Sequence, residues 1–116
     1  MPTRTRLEGP FEVYSSDFYE GFVETATFIE HDDGRKEFVL RGKDDDGTLW
    51  ESHLYSREGR LFSGNMTSKE WNHALVINME LWVSPTEPEW LLLGTWQELS
   101  EDPVKWRITL SLPDDD

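Results

Sequence analysis

From Ala74 to Val83 the chain alternates between two sets of side chains. Leu75, Ile77, Met79, Leu81 and Val83 form one set, and Ala74, Val76, Asn78, Glu80 and Trp82 the other. Successive side chains of a strand point to opposite faces, so this pattern predicts a strand with the odd-numbered set in the core. Val104 to Leu112 reads the same way, with Trp106, Ile108, Leu110 and Leu112 inward and Lys105, Arg107, Thr109 and Ser111 outward. Further strands are expected over Phe11–Tyr14, Phe18–Glu30, Lys36–Gly42, Thr48–Ser56, Leu61–Thr67 and Trp90–Glu98. Gly21, inside the second, marks a bulge or a sharp bend. Thr67 and Glu70 have the spacing of a capping box, which predicts a single helical turn before the strand at Ala74.

Between these runs lie Asp32-Asp33-Gly34, Asp44-Asp45-Asp46-Gly47 and Arg57-Glu58-Gly59-Arg60. Glycine tolerates positive φ and aspartate bonds to its own backbone in turns, so each reads as a hairpin tip. Ser84-Pro85-Thr86-Glu87-Pro88 and Ser100-Glu101-Asp102-Pro103 are further reversals. No amphipathic helix of useful length is present, which removes the crossovers that parallel strands need. The expected fold is therefore all-β: a single antiparallel up-and-down meander of about eight strands, closed or nearly closed into a barrel. A two-sheet sandwich is the alternative. The barrel domain is expected over residues 11–112, after an N-terminal segment 1–10 and before an acidic tail 113–116. In strand number and hairpin order the chain resembles the lipocalin and avidin barrels. Those families carry Gly-x-Trp near the first strand, whereas here the match, Gly94-Thr95-Trp96, lies near the end. No binding residues carry over from them.

Charge and composition narrow the function. The 116 residues include 24 acidic and 11 basic side chains, a net charge of −13. Such a chain repels nucleic acid and anionic membranes and attracts basic proteins. An aromatic content of 13%, with six tryptophans, argues for a packed core rather than disorder. The absence of cysteine excludes disulfides and thiolate metal sites and points to a reducing, cytoplasmic setting. Met1 to Arg6 holds two arginines with no apolar run behind them, unlike a secretory signal. No apolar stretch approaches the roughly 20 residues that span a bilayer.

Candidate chemistry is sparse. Aligning Gly47 with the glycine of an EF-hand loop places Gly42 and His53 where the first and last carboxylates belong, and calcium coordination fails. His31, His53 and His73 have no spacing that presents two imidazoles to one metal, and of the three His53 is the best held, on a strand. There is no Gly-x-Ser-x-Gly and no phosphate-binding glycine loop. Glu80 and Glu98 are the strand-borne carboxylates that a glycosidase pair would require. No catalytic residue, metal or cofactor is assigned, and the expected protein is not an enzyme. The expected function is that of an acidic, inhibitor-type protein engaging a basic partner, such as a nuclease, through its hairpin tips. The candidate contacts are Asp32, Asp33, Asp44, Asp45, Asp46 and Glu58. Trp50, Trp82, Trp90 and Trp96 are candidate interface or ligand contacts. The alternatives are a lipocalin-like ligand barrel, carbohydrate binding through exposed tryptophans, and self-association through a tryptophan face.

Overall fold

Each strand pairs antiparallel with the strand before it and the strand after it, and the last returns to the first. A computed structural model describes residues 2–14, 19–43, 47–69, 74–86, 89–98 and 101–113. Its strands are β1 (Thr3–Tyr14), β2 (Tyr19–Glu30), β3 (Lys36–Lys43), β4 (Leu49–Ser56), β5 (Leu61–Thr67), β6 (Leu75–Val83), β7 (Glu89–Gln97) and β8 (Val104–Ser111). They form one closed barrel in sequence order. No sandwich split occurs among the described residues, and no described helix is long and apolar enough to cross a membrane.

The turn chemistry explains the reversals. Gly34, Gly47 and Gly59 have φ of 95°, 81° and 90°, the left-handed region that L side chains avoid. They are the glycines of the three hairpin tips. The β2–β3 turn closes through Gly34 N–H to His31 O at 3.0 Å and His31 N–H to Arg35 O at 2.9 Å. The expected helical turn falls largely on Glu70 to His73, outside the described residues.

β1 is longer than the alternation predicts, beginning at Thr3 rather than Phe11. Gly9-Pro10 reads as a boundary because proline cannot donate to a ladder. The barrel accommodates it: Pro10 stays in register with Phe22 of β2, while the ladder to β8 is recorded at Glu8–Ser111 and Phe11–Ile108, on either side of it. A register shift between Leu7 and Gly9 and another between Val23 and Thr25 bend these strands as closure requires. Val83 and Leu112, expected inward, are 54% and 55% exposed at the ends of their runs, beyond the closed part of the wall.

The interior is built from two aromatic clusters. Toward the end where β1 begins, here called proximal, Phe28 lies 4.8 Å from both Phe38 and Trp90, and Phe38 lies 5.0 Å from Phe62. Toward the distal end Phe11, Trp50 and Trp106 form a triangle with centroids 5.7, 6.0 and 6.1 Å apart, all edge to face. Fully buried Leu7, Val23, Leu40, Leu54, Ile77, Leu92 and Ile108 complete the core. Each contributes about 1.5–3 kcal/mol by leaving water. An eight-stranded barrel is just wide enough for side chains to occupy its interior, and these buried residues point into it. The single polar side chain at its middle, Ser52, donates to Asn65 O at 3.1 Å.

Two of the large rings rest on glycine. Phe11 is the cross-strand partner of Gly21, and a Cβ there would meet the Phe11 ring at 2.2 Å. Trp50 faces Gly42 in the same way, at 2.7 Å. Missing side chains make room for the rings, and the rings cover the bare backbone. Gly42→Ala is therefore expected to destabilise the barrel by about 1–3 kcal/mol through overpacking and to change the near-ultraviolet circular dichroism of the distal aromatics. Gly34→Ala, in open space at positive φ, should cost about 1–2 kcal/mol and leave that spectrum unchanged. Urea titration followed by both signals checks the pair.

Candidate functional site

Antiparallel alternation sends successive connections to opposite ends. The β2–β3, β4–β5 and β6–β7 connections lie at the proximal end, and the β1–β2, β3–β4, β5–β6 and β7–β8 connections at the distal end. The candidate acidic residues are thereby divided. Asp32, Asp33 and Glu58 belong to the proximal end. Asp44, Asp45 and Asp46 belong to a distal connection and lie outside the described residues.

At the proximal end the carboxylates are engaged in local structure. Asp33 accepts from Arg35 N–H at 3.1 Å and from Arg35 Nε at 2.7 Å. The Arg35 backbone N–H, followed by the nearby guanidinium, holds its carboxyl below the usual carboxylate range. Glu58 accepts from Leu61 N–H at 2.8 Å and from the Ser56 hydroxyl at 3.3 Å, while Ser56 Oγ accepts from Gly59 N–H at 2.8 Å. The Leu61 N–H is the main reason the Glu58 carboxyl titrates low. In sequence, residues 31–35, 57–60 and 84–88 hold four acidic and three basic residues. The distal connections, residues 15–18, 44–48, 68–74 and 98–103, hold eight acidic residues and one lysine. By sequence the distal connections are thus the more acidic, and the three aspartates of the tail 114–116 follow the proximal end of β8.

The tryptophans divide by strand parity. Trp50 is buried in the distal triangle, on the same face as Leu54. Trp90 and Trp96 are partly buried and pack against the core from inside. Trp82 alone among the four candidates faces outward. It is 50% exposed, with the Arg60 guanidinium 5.5 Å from its ring centroid.

Outward charges concentrate on β8 and β1–β4. Arg107 donates to Glu12, Tyr14 OH donates to Glu12 at 2.9 Å, Lys43 lies 3.5 Å from Glu24 and Arg41 3.6 Å from Glu51. The Arg107 hydrogen bond lowers the Glu12 pKa and raises that of Arg107. His53 sits between Glu51, 3.1 Å away, and Tyr55, 3.5 Å away, along β4. His31 is bonded to Glu37, and His73 is outside the described residues. Glu80 is paired with Arg60 at 3.4 Å and Glu98 follows the distal end of β7, so the two carboxylates do not converge.

The wall formed by β5, β6 and β7 differs. Its outward positions run Leu61, Ser63, Asn65, Thr67; Val76, Asn78, Glu80, Trp82; and Leu91, Leu93, Thr95, Gln97, with Glu89 at the rim. Glu80 is the one charge within it. Leu61 is 61% exposed and Leu93 38%, and with Ser63, Asn78 and Glu80 they line a shallow groove. The signal was present in the sequence as neutral outward residues, but it emerges only when the three runs are set side by side. Compared with known proteins, the chain matches no family model and no curated protein.

The engaged proximal carboxylate has a pH signature. Because the folded Glu58 pKa lies below its ordinary value, its contribution is present at neutral pH and lost as pH falls through the acidic range. Glu58→Gln should be less stable than the native chain at neutral pH, with the difference shrinking on acidification. Thermal unfolding of both proteins between neutral pH and pH ~3 reads it.

Proposed function

We propose that this barrel is a non-enzymatic binding protein whose distal end engages a basic protein partner. The observation that carries the reading is the charge of the connections: eight acidic residues and one lysine in the distal ones, against four acidic and three basic residues in the proximal ones, with the three aspartates of the tail 114–116 following β8. A concentrated negative end steers a positively charged partner into contact and orients it on approach. The apolar, aromatic lining of the interior offers few polar groups to hold a ligand, which supports the outer surface as the binding element. The proximal candidates Asp33 and Glu58 serve their own turns and are assigned no part in docking. The lack of cysteine supports a cytoplasmic setting.

The test is kinetic. A partner captured from the native host is purified, and its association rate is measured by stopped flow as salt is raised. The rate should fall steeply with salt. Joint reversal of Asp44, Asp45 and Asp46 to lysine should slow association by about tenfold or more, whereas Asp33→Lys at the other end should change it little. A rate indifferent to salt and to the distal reversal would exclude electrostatic docking at this end.

A further inference from the structure

At the proximal end β1 outruns β8. Thr3 to Leu7 pair with Glu30 to Ala26 of β2, whereas the ladder to β8 is recorded only from Glu8, opposite Ser111. Stagger of this kind is what tilted strands leave where a barrel closes. The side of Thr3–Leu7 turned away from β2 therefore has no strand beside it among the described residues. Pro10 shows which backbone groups point that way. It keeps its register with Phe22 of β2 but drops out of the ladder to β8, so its nitrogen faces β8. Backbone groups alternate sides along an antiparallel strand, so Glu8, Arg6 and Arg4 face the same way. Arg4 and Arg6 thus present unpaired N–H and C=O groups along this edge. Both are exposed on the outer face, and neither side chain has an ion pair or hydrogen-bonded partner among the described residues. The chain has 24 acidic side chains against 11 basic ones, so two neighbouring guanidiniums without a carboxylate stand out.

We infer that this overhang is a docking edge for an acidic extended segment, and that residues 112–116 of the same chain occupy it as a continuation of β8. Direction supports that occupant. β8 runs antiparallel to β1 and reaches Ser111 opposite Glu8, heading along the overhang. Register supports it too. Glu8–Ser111, Phe11–Ile108 and Tyr14–Lys105 share one register, and its continuation sets Pro113 opposite Arg6, Asp114 opposite Thr5 and Asp115 opposite Arg4. Length agrees, because the five residues after Ser111 match the five overhanging ones, Thr3 to Leu7. Charge completes the match. Side chains directly opposite lie about 5 Å apart and diagonal ones about 7–8 Å, so Asp115 serves Arg4 directly and Arg6 diagonally, on the outer face. Asp114 and Asp116 alternate to the inner side, away from both arginines. Pro113 brings no N–H and interrupts the ladder at its own position. The same seam already passes Pro10 and resumes beyond it. A covered edge is one that another chain cannot pair with.

Amide exchange read residue by residue by NMR tests this. The Arg4 N–H should exchange about tenfold more slowly, or more, in the whole chain than in a chain ending at Pro113. The Thr5 N–H, which faces β2, should exchange alike in both. Raising salt from ~50 to ~500 mM should narrow the difference at Arg4, because exposed ion pairs are screened. Asp115→Lys should remove the protection, whereas Asp114→Lys should keep most of it. Arg4→Glu should remove it as well, and Arg4→Glu combined with Asp115→Lys should recover it. An unchanged circular dichroism spectrum shows that each variant keeps the barrel. Equal Arg4 exchange in the whole and shortened chains overturns the inference. So does protection that Asp114→Lys and Asp115→Lys reduce alike, or a charge-swapped pair no better protected than either single variant. Protection that falls on dilution overturns it in favour of the acidic segment of a second copy on this edge.

Discussion

Closure is the constraint on which the structure depends. Once β8 pairs with β1, no strand is left with an edge open along its whole length. The cost is an interior of fixed bore that must be filled without strain. Six large aromatic rings are buried there among the described residues. Gly21 and Gly42 relieve the crowding at the distal level by giving up their side chains opposite Phe11 and Trp50. The edge-to-face geometry of that triangle follows from the same limit, since rings of this size cannot all lie flat against the wall.

Outside the bore, the closed sheet offers two ends and one continuous wall. Antiparallel order decides what the ends carry, because every second connection is sent the same way. The four distal connections join strands far apart in sequence, and topology sends them all to one end. The proximal carboxylates have another use. Turns need acceptors for N–H groups left unpaired at a reversal, and Asp33 and Glu58 supply them. A negative residue at a tip is therefore not automatically available to a partner.

Much of this was legible from local rules. The tip glycines follow from turn chemistry, and the inward placement of Phe38, Leu40, Ile77 and Ile108 follows from parity. Parity also separates Trp82 from Trp50, once Trp50 is grouped with Leu54 on the inner face. The extension of β1 was not legible, because Gly9-Pro10 ends an isolated strand but not one held from both sides by a closed sheet. Division of the acidic tips between the ends required only strand count, whereas the neutral wall required register as well. Ser63, Asn78 and Thr95 are unremarkable in three separate segments and become one surface only when β5, β6 and β7 align them.

A chain with net charge −13 and a neutral wall is not a contradiction, because the two act over different distances. The molecule measures 37 × 33 × 25 Å, and charges attract or repel across about 8 Å of physiological salt solution. The charged side of the barrel is therefore largely screened from anything approaching β5–β7, and contact there is governed by the side chains of that wall. Salt must then weaken the field of the charged face more than it alters the neutral wall. That difference follows from where the charges sit rather than from how many there are.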